Sequence, residues 1–381
     1  MKINKIELTN VKCYSEAKFE FENGINFISG KNGAGKTTII ESIGFALFDY
    51  KLSKNFTSYF IRHGEKRASV RIWFKDKNSK DYIVERKLGY QSAYNSWIIK
   101  DIDEELEIVS GETDVTAWLK EHLGFYENDN ISQIYENVIG VPQGMFTSIF
   151  LDTEKNRRLK LDPIFNLEIY RKVYANSAKL ESGMKEKNNI LTQELTNKQG
   201  MITILKDSTK EYKTAIAENK KQKKEKEKIE KSQNAIIVLN KIRGLIKDAP
   251  ESISKVLIQS VGKRASSIYH QIATDNTKLA WKENYEVVLL DNIDGNFVEK
   301  DFRQLSGGEQ MSAALAIRIA MLEVLTNMKI GILDEPTVNM DSQRREHLAD
   351  MIEKVGQMFV QLFVVSHDDT FNSITDYIIE L

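Results

Sequence analysis

Apolar and polar residues alternate from the start of the chain. Ile3, Ile6, Leu8 and Val11, then Phe19, Phe21, Ile25 and Phe27, predict two or three strands within residues 2–28. The alternation returns at 68–74, 81–86 and 94–100, which predicts an antiparallel meander. Between these stretches Thr38 to Phe48 carries apolar residues at helical spacing. So does Asp114 to Leu123, with Val115, Trp118, Leu119 and Leu123 on one face. Val138 to Gly144 is a short apolar run that ends in a polar turn.

The middle of the chain reads differently. No proline lies between Pro163 and Pro250. Met184, Leu191, Leu195, Ile202, Leu205, Tyr212 and Ile216 advance by steps of three, four or seven, with Asn188, Lys198 and Thr209 filling the seam less well. This is a heptad-like stripe. Both ends of the segment must return to one α/β domain, so a hairpin is expected, with its tip at Asn197-Lys198-Gln199-Gly200. After Pro250 a second helix is expected from Ser252 to about Thr274. Tyr285 to Asp291 and Asn296 to Lys300 then form a hairpin around Asn292-Ile293-Asp294-Gly295. The expected division is 1–163, 164–250 and 251–381.

Composition narrows the class. Of 381 residues, 41% are hydrophobic and 29% charged, the profile of a soluble protein. The net charge of −1 gives no whole-chain attraction for nucleic acid, so any basic surface is local. Lys220 to Lys231 is a charge run that reads as a solvated helical face; the alternative is a basic arm against DNA. Cys13 is the sole cysteine, which fits a reducing interior without disulfides. No run of about 18 apolar residues exists and no signal-peptide core opens the chain, so a cytoplasmic protein with no membrane partner is expected.

The candidate chemistry begins at Gly30-Lys31-Asn32-Gly33-Ala34-Gly35-Lys36-Thr37-Thr38, which fits G-x-x-x-x-G-K-[ST] between a buried strand and a helix. Glycines let successive N–H groups turn toward phosphate oxygens, and the helix adds the positive end of its dipole. Lys36 then reaches the β/γ-phosphates of ATP and the Thr37 hydroxyl ligates Mg²⁺. Ile330 to Glu335 is an apolar strand ending in two acids: Asp334 for the metal, Glu335 to polarise a water. Leu305-Ser306-Gly307-Gly308-Glu309 precedes a helical run from Gln310 to Leu325. It reads as a second anion loop, as a capping box of Ser306 with Glu309, or as both. Phe363 to Ser366 is one more buried strand, and His367 follows at its end, where ligands bind in α/β sheets; a γ-phosphate contact is expected.

Together these motifs resemble the heads of ABC-type ATPases. Gln143 matches the Q-loop, Leu305 to Glu309 the signature, Ile330 to Glu335 Walker B, Val338 to Asp341 the D-loop and His367 the switch histidine. A helical hairpin between Q-loop and signature resembles the SMC-like group. Within it, Ile6 to Lys12, Val141-Pro142-Gln143-Gly144, Glu335-Pro336-Thr337 and Val365 to Asp368 look most like the Rad-fifty/SbcC ATPase of double-strand-break repair. The resemblance covers roughly 1–160 and 250–381. It implies an α/β ABC-type head, a mixed sheet core plus antiparallel β meander, with an inserted antiparallel coiled-coil stub. It implies ATP and Mg²⁺ bound through Lys12, Asn32, Gly33, Gly35, Lys36, Thr37, Thr38, Gln143, Ser306, Gly307, Gly308 and Asp341, with Thr37, Gln143 and Asp334 at the metal and Glu335 and His367 catalytic. It further implies an ATP-dependent homodimer, double-stranded DNA across the paired heads, a Mre-eleven/SbcD-type nuclease at the coil base, and a nucleoid-associated or, in a eukaryote, nuclear location. The family's zinc hook is absent, since the helical segment is short and holds no cysteine. That fits a chain whose distal coil has been removed, or a naturally short relative. Lys12 stands where arginine is more usual, and Met340 where leucine is. An SMC or RecF/RecN-type ATPase is the alternative reading; a transporter subunit fits the inserted hairpin poorly.

Overall fold

The computed structural model describes residues 1–102, 106–141, 146–204, 211–273, 277–293, 296–326, 328–337, 340 and 342–381. Two compact units emerge. One joins residues 1–166 with 255–381, and the other is 167–254.

In the first unit, β1 (Lys2–Val11), β2 (Tyr14–Glu20) and β3 (Gly24–Ser29) lead into α1 (Lys36–Phe48) and the short α2 (Phe56–Phe60). The meander follows as β4 (Arg67–Lys75), β5 (Asp81–Gly89), β6 (Ser96–Asp101) and β7 (Glu107–Ser110). It does not stand alone: β2 and β1 complete a six-stranded sheet in the order β2-β1-β4-β5-β6-β7. Its inner face is the alternation seen in the sequence, with Ala68, Val70, Ile72 and Phe74 buried on β4. Helix α3 (Glu112–Leu123) buries Val115, Leu119 and Leu123. Helix α4 (Ile131–Ile134) runs into a π-turn at Tyr135–Ile139, and β8 (Gly140–Val141), α5 (Ser148–Leu151) and α6 (Glu154–Leu161) complete this part.

The second unit holds α7 (Leu167–Ile204) and most of α8 (Glu211–Ile272). From Glu181 to Lys198 the only residues shielded from solvent are 181, 184, 188, 191, 195 and 198. On α8 the matching seam is 222, 225, 229, 232, 236 and 239. These are heptad steps on both helices. Lys198 pairs with Glu225 at 2.7 Å and Arg243 pairs with Glu181, so the helices run antiparallel. Two expectations fail here. Residues 197–200 are helical, so the tip is not there, and 205–210 lie outside the described residues. Gly200 costs only about 1 kcal/mol in a helix, which the seam that precedes it, through Lys198, offsets. Likewise α8 passes through Pro250 without a break, so no second helix starts at Ser252. The proline removes one hydrogen bond, and the helix continues on both sides of it.

The first unit resumes with β9 (Lys278–Trp281), β10 (Val287–Ile293) and β11 (Asn296–Asp301), a sheet in the order β11-β10-β9. The expected hairpin is β10–β11, paired from Val288↔Asp301 to Ile293↔Asn296; residues 294–295 of its turn lie outside the described residues. At four residues, β9 is too short for its alternation to register in the sequence. Helix α9 (Gly307–Leu325), β12 (Ile330–Asp334), α10 (Ser342–Gly356), β13 (Gln361–Ser366) and β14 (Tyr377–Glu380) close the chain.

A parallel sheet, β14-β3-β13-β12-β8, forms the centre. Every residue of β12 and β13 is buried, as a strand covered on both faces requires. Helix α1 packs against β4 and β5 of one sheet and β13 of the other, which explains why it is apolar on nearly all sides. The register aligns Ser29 with Ser366 and Asp334 with Val365. The loops after β3, β12 and β13 therefore leave the sheet at one edge. No helix among the described residues is long and apolar enough to cross a membrane.

Candidate active site

Three strand ends meet at that edge. After β3 the chain curls through Gly33 and Gly35, at φ 85° and 108°. Gly35 is required twice over: besides the left-handed φ, a Cβ there would stand 2.6 Å from both Cys13 Sγ and Tyr14 Oη. Lys36 opens α1 and is almost wholly buried. Its Nζ donates to the carbonyls of Gly30 at 2.7 Å and Lys31 at 3.2 Å, and lies 3.3 Å from Glu335 Oε1. One turn of backbone fixes the loop and aims the ammonium at the strand end opposite.

That strand end is β12. Thr37 Oγ1 donates to Asp334 Oδ1 at 3.4 Å. Burial pushes the Asp334 carboxyl up to about 6, and the charges of Glu335 and Glu41 add to this; the Thr37 hydrogen bond and Lys36 work the other way. Glu335 has φ 48°, and its N–H donates to Val365 O at 2.8 Å. Its Oε2 lies 2.9 Å from His367 Nδ1 and accepts from Ser366 Oγ at 3.4 Å. One carboxylate thus joins the P-loop lysine to the histidine after β13.

A cavity of about 360 Å³ lies over these groups. Asn32, Gly33, Gly35, Lys36, Thr37 and Thr38 border it from the loop and the first turn of α1; Lys12, Cys13, Glu335 and His367 border it from the other side. Cys13 is exposed there. Ser306, Gly307 and Gly308 do not border it. They begin α9 with a capping box, Ser306 N–H to Glu309 Oε2 at 2.7 Å and Glu309 N–H to Ser306 Oγ at 3.3 Å. Gln143 and Asp341 lie outside the described residues.

The donor set suits a magnesium that arrives with phosphate. Thr37 and Asp334 offer hard oxygens side by side, while no group of three or more His, Cys, Asp or Glu among the described residues is placed to hold a metal by itself. Mg²⁺ commonly binds one or two carboxylates and takes its remaining oxygens from water and substrate.

Sequence motifs missed several residues that shape this edge. Arg318, in the apolar middle of α9, is buried; it donates to Phe146 O at 2.8 Å and to Asn137 O, on either side of residues 142–145. Burial pulls its guanidinium down to about 9. A lone arginine among Ala313 to Leu322 was the available signal. Arg345 pairs with Asp368 at 2.5 Å and donates to Met340 O at 2.9 Å, which ties the stretch before α10 to the loop after β13.

The AAA_23 family model, described as an AAA domain, matches residues 5–254. The chain is 29% identical over 174 residues to a DNA double-strand break repair Rad50 ATPase of Archaeoglobus fulgidus, a stretch that is 46% of this chain and 18% of that one. With the protein of the same name from Nanoarchaeum equitans it shares 30% over 162 residues, 42% and 19% of the two chains. The aligned stretches are therefore less than a fifth of these relatives' length. Among solved structures, a Smc head domain with an extended coiled coil, bound to the C-terminal domain of ScpA and derived from Pyrococcus furiosus, matches all of this chain and 93% of its own at TM-score 0.61 and 18% identity. The fold is that of an SMC-type head.

Proposed function

The chain belongs to the AAA_23 family of AAA domains, and from that membership we propose that it is the head of an SMC-like DNA-repair ATPase, which binds ATP, pairs with a second copy and releases it on hydrolysis. The position of Glu335 carries this reading. A general base must reach a water beside the γ-phosphate, and Glu335 sits between the P-loop lysine at 3.3 Å and His367 at 2.9 Å, on the wall of the cavity. Lys36 trades its contact with Glu335 for the phosphates when ATP enters. Glu335, freed of that partner, accepts a proton from the attacking water. His367 orients Glu335 and faces the γ-phosphate. Thr37 and Asp334 would hold Mg²⁺, which supplies charge neutralisation to the phosphates. Gln143 and Asp341 are assigned to the nucleotide on their motifs alone.

The second anion loop belongs to the partner's nucleotide. Residues 306–308 do not border their own chain's cavity. Among the described residues a Cβ on Gly308 would meet nothing within 4 Å, and Gly308 is not at positive φ, so none of them requires glycine there. Close approach by a group from outside the chain would. In a two-fold dimer each P-loop would then face the other copy's Ser306, Gly307 and Gly308.

The relatives' role in DNA double-strand break repair supports double-stranded DNA as the ligand of the paired heads; an Mre-eleven/SbcD-type nuclease at the coil base and a nucleoid-associated or nuclear location rest on the motif resemblance alone. The ScpA-bound Smc head supports the second reading, an SMC-type organiser with a ScpA-like partner. Purification from native extract distinguishes them by whether a nuclease or a ScpA-like protein comes with the chain.

The direct test is Glu335→Gln. It should bind ATP, hydrolyse it at least about 100-fold more slowly, and accumulate as a dimer in gel filtration with ATP. A variant that turns over ATP at the normal rate, or elutes only as monomer, overturns the proposal.

A further inference from the structure

Lys12 lies in the tight turn between β1 and β2, at φ 47°, and borders the same cavity as the P-loop. Its ammonium is held by two neighbours that belong to no motif. It forms an ion pair with Glu41 on α1, and it sits 3.7 Å from the centre of the Tyr59 ring on α2. Tyr59 Oη in turn donates to Glu41 Oε1 at 2.8 Å, so the ring and the carboxylate fix each other. Glu41 is 7% exposed. The backbone repeats the arrangement: Lys12 N–H donates to Phe60 O at 3.0 Å, and the Arg62 guanidinium donates to the carbonyls of Lys12 and Cys13. The buried residues of α2 are Phe56 and Phe60. Tyr59 is 41% exposed, and within its helix its ring meets only that of Phe56, at 6.5 Å between centres, among the described ring contacts.

We propose that Glu41 and Tyr59 are positioning residues for nucleotide binding, which act by holding the Lys12 ammonium at the cavity wall, ready for a phosphate oxygen. This rests on the reading of the cavity as an ATP site. A lysine is a point charge on a flexible four-carbon stem, and much of its binding contribution is lost in ordering that stem. Here the ordering precedes the ligand. An ammonium has three donors: Glu41 takes one, the ring face covers a second, and the third serves the nucleotide.

Tyr59 gives the cleaner test, because replacing it changes no charge in the cavity. In calorimetric titrations of the full chain with ATP and Mg²⁺, at a temperature where every variant is folded, Tyr59→Leu should raise the ATP Kd about fivefold, the size of a partly desolvated cation–π contact, and lower the melting temperature only modestly, through the lost hydrogen bond to Glu41. Tyr59→Trp, which keeps an aromatic platform, should restore most of it. In a Lys12→Met background, Tyr59→Leu should change Kd no further. Equal weakening with and without Lys12 would mean that Tyr59 acts on the fold, and an unchanged Kd in Tyr59→Leu would mean that it does nothing; either overturns the proposal. Lys36→Ala serves as the control. If it still binds ATP at full strength, the nucleotide reading itself falls, and this proposal with it. If it loses ATP while the Tyr59 and Lys12 variants do not, the site stands and only the positioning role is lost.

Discussion

Asp334 is a carboxyl held where water barely reaches it, and its raised pKa makes a definite demand on pH dependence. An acid whose folded pKa lies above its unfolded value binds protons more tightly in the folded state. Its contribution is present below the unfolded value of 3.8 and is lost as pH rises through about 6. Asp334→Asn should therefore stabilise the nucleotide-free head more at pH 8 than at pH 5, by about 1 kcal/mol; denaturant midpoints of both proteins at the two pH values decide it. Lys36→Ala should abolish ATP binding by calorimetry. It should also cost the free head roughly 3 kcal/mol, because it strips a partner from the buried Glu335. A head of undiminished stability would mean that the Lys36–Glu335 pair contributes nothing. Legibility in the sequence was uneven at this scale. The six P-loop positions, Glu335 and His367 could be named because local spacing defines their motifs. Glu41, Tyr59 and Arg318 could not, because each acquires its partners only when segments far apart in the chain fold together.

Helix α9 begins at the second glycine loop, so one substitution there separates the two jobs of that loop. Ser306→Arg deletes the cap, a loss of about 1 kcal/mol. Yet it should leave ATP binding nearly intact, since the loop does not border its own chain's cavity. Dimerisation and hydrolysis should both disappear. Mixing Ser306→Arg with Lys36→Ala chains should recover part of the ATPase, because one site in each mixed dimer combines the undamaged halves; no recovery at any ratio, or strong hydrolysis by dilute Ser306→Arg alone, counts against shared sites. The long helices show where sequence reading of elements stops. Gly200 and Pro250 are the usual signals for a turn and a stop, and both lie inside helices. A local breaker of 1–3 kcal/mol is outweighed by the many hydrogen-bonded turns of a helix 38 or 62 residues long. Pro250→Ala should accordingly stabilise the helical unit without altering ATP affinity, a difference readable by amide hydrogen exchange around residues 246–254. The strands fared better, because a sheet with one open face writes its alternation into every second residue.

At the scale of the whole molecule, the charges nearly cancel, with a net of −1. A single copy presents no large basic field, so affinity for duplex DNA should depend on ATP and fall steeply between 50 and 200 mM salt as condensed counterions are released. Equal affinity with and without ATP at the same salt would remove dimerisation from the account of DNA binding. The central sheet carries one more consequence, about time. In the order β14-β3-β13-β12-β8, the strand that leads into the P-loop lies between two strands from far later in the chain, residues 361–366 and 377–380. As the chain leaves the ribosome, β3 emerges well before either neighbour and stays without both until residues 361–366 and 377–380 follow it. The ATP site thus cannot close until residues 361–380 have been made, however early its glycines appear. A nascent chain halted at residue 204 should bind no ATP. Supplying residues 211–381 as a separate polypeptide should restore binding, as the missing strands close on both sides of the waiting one.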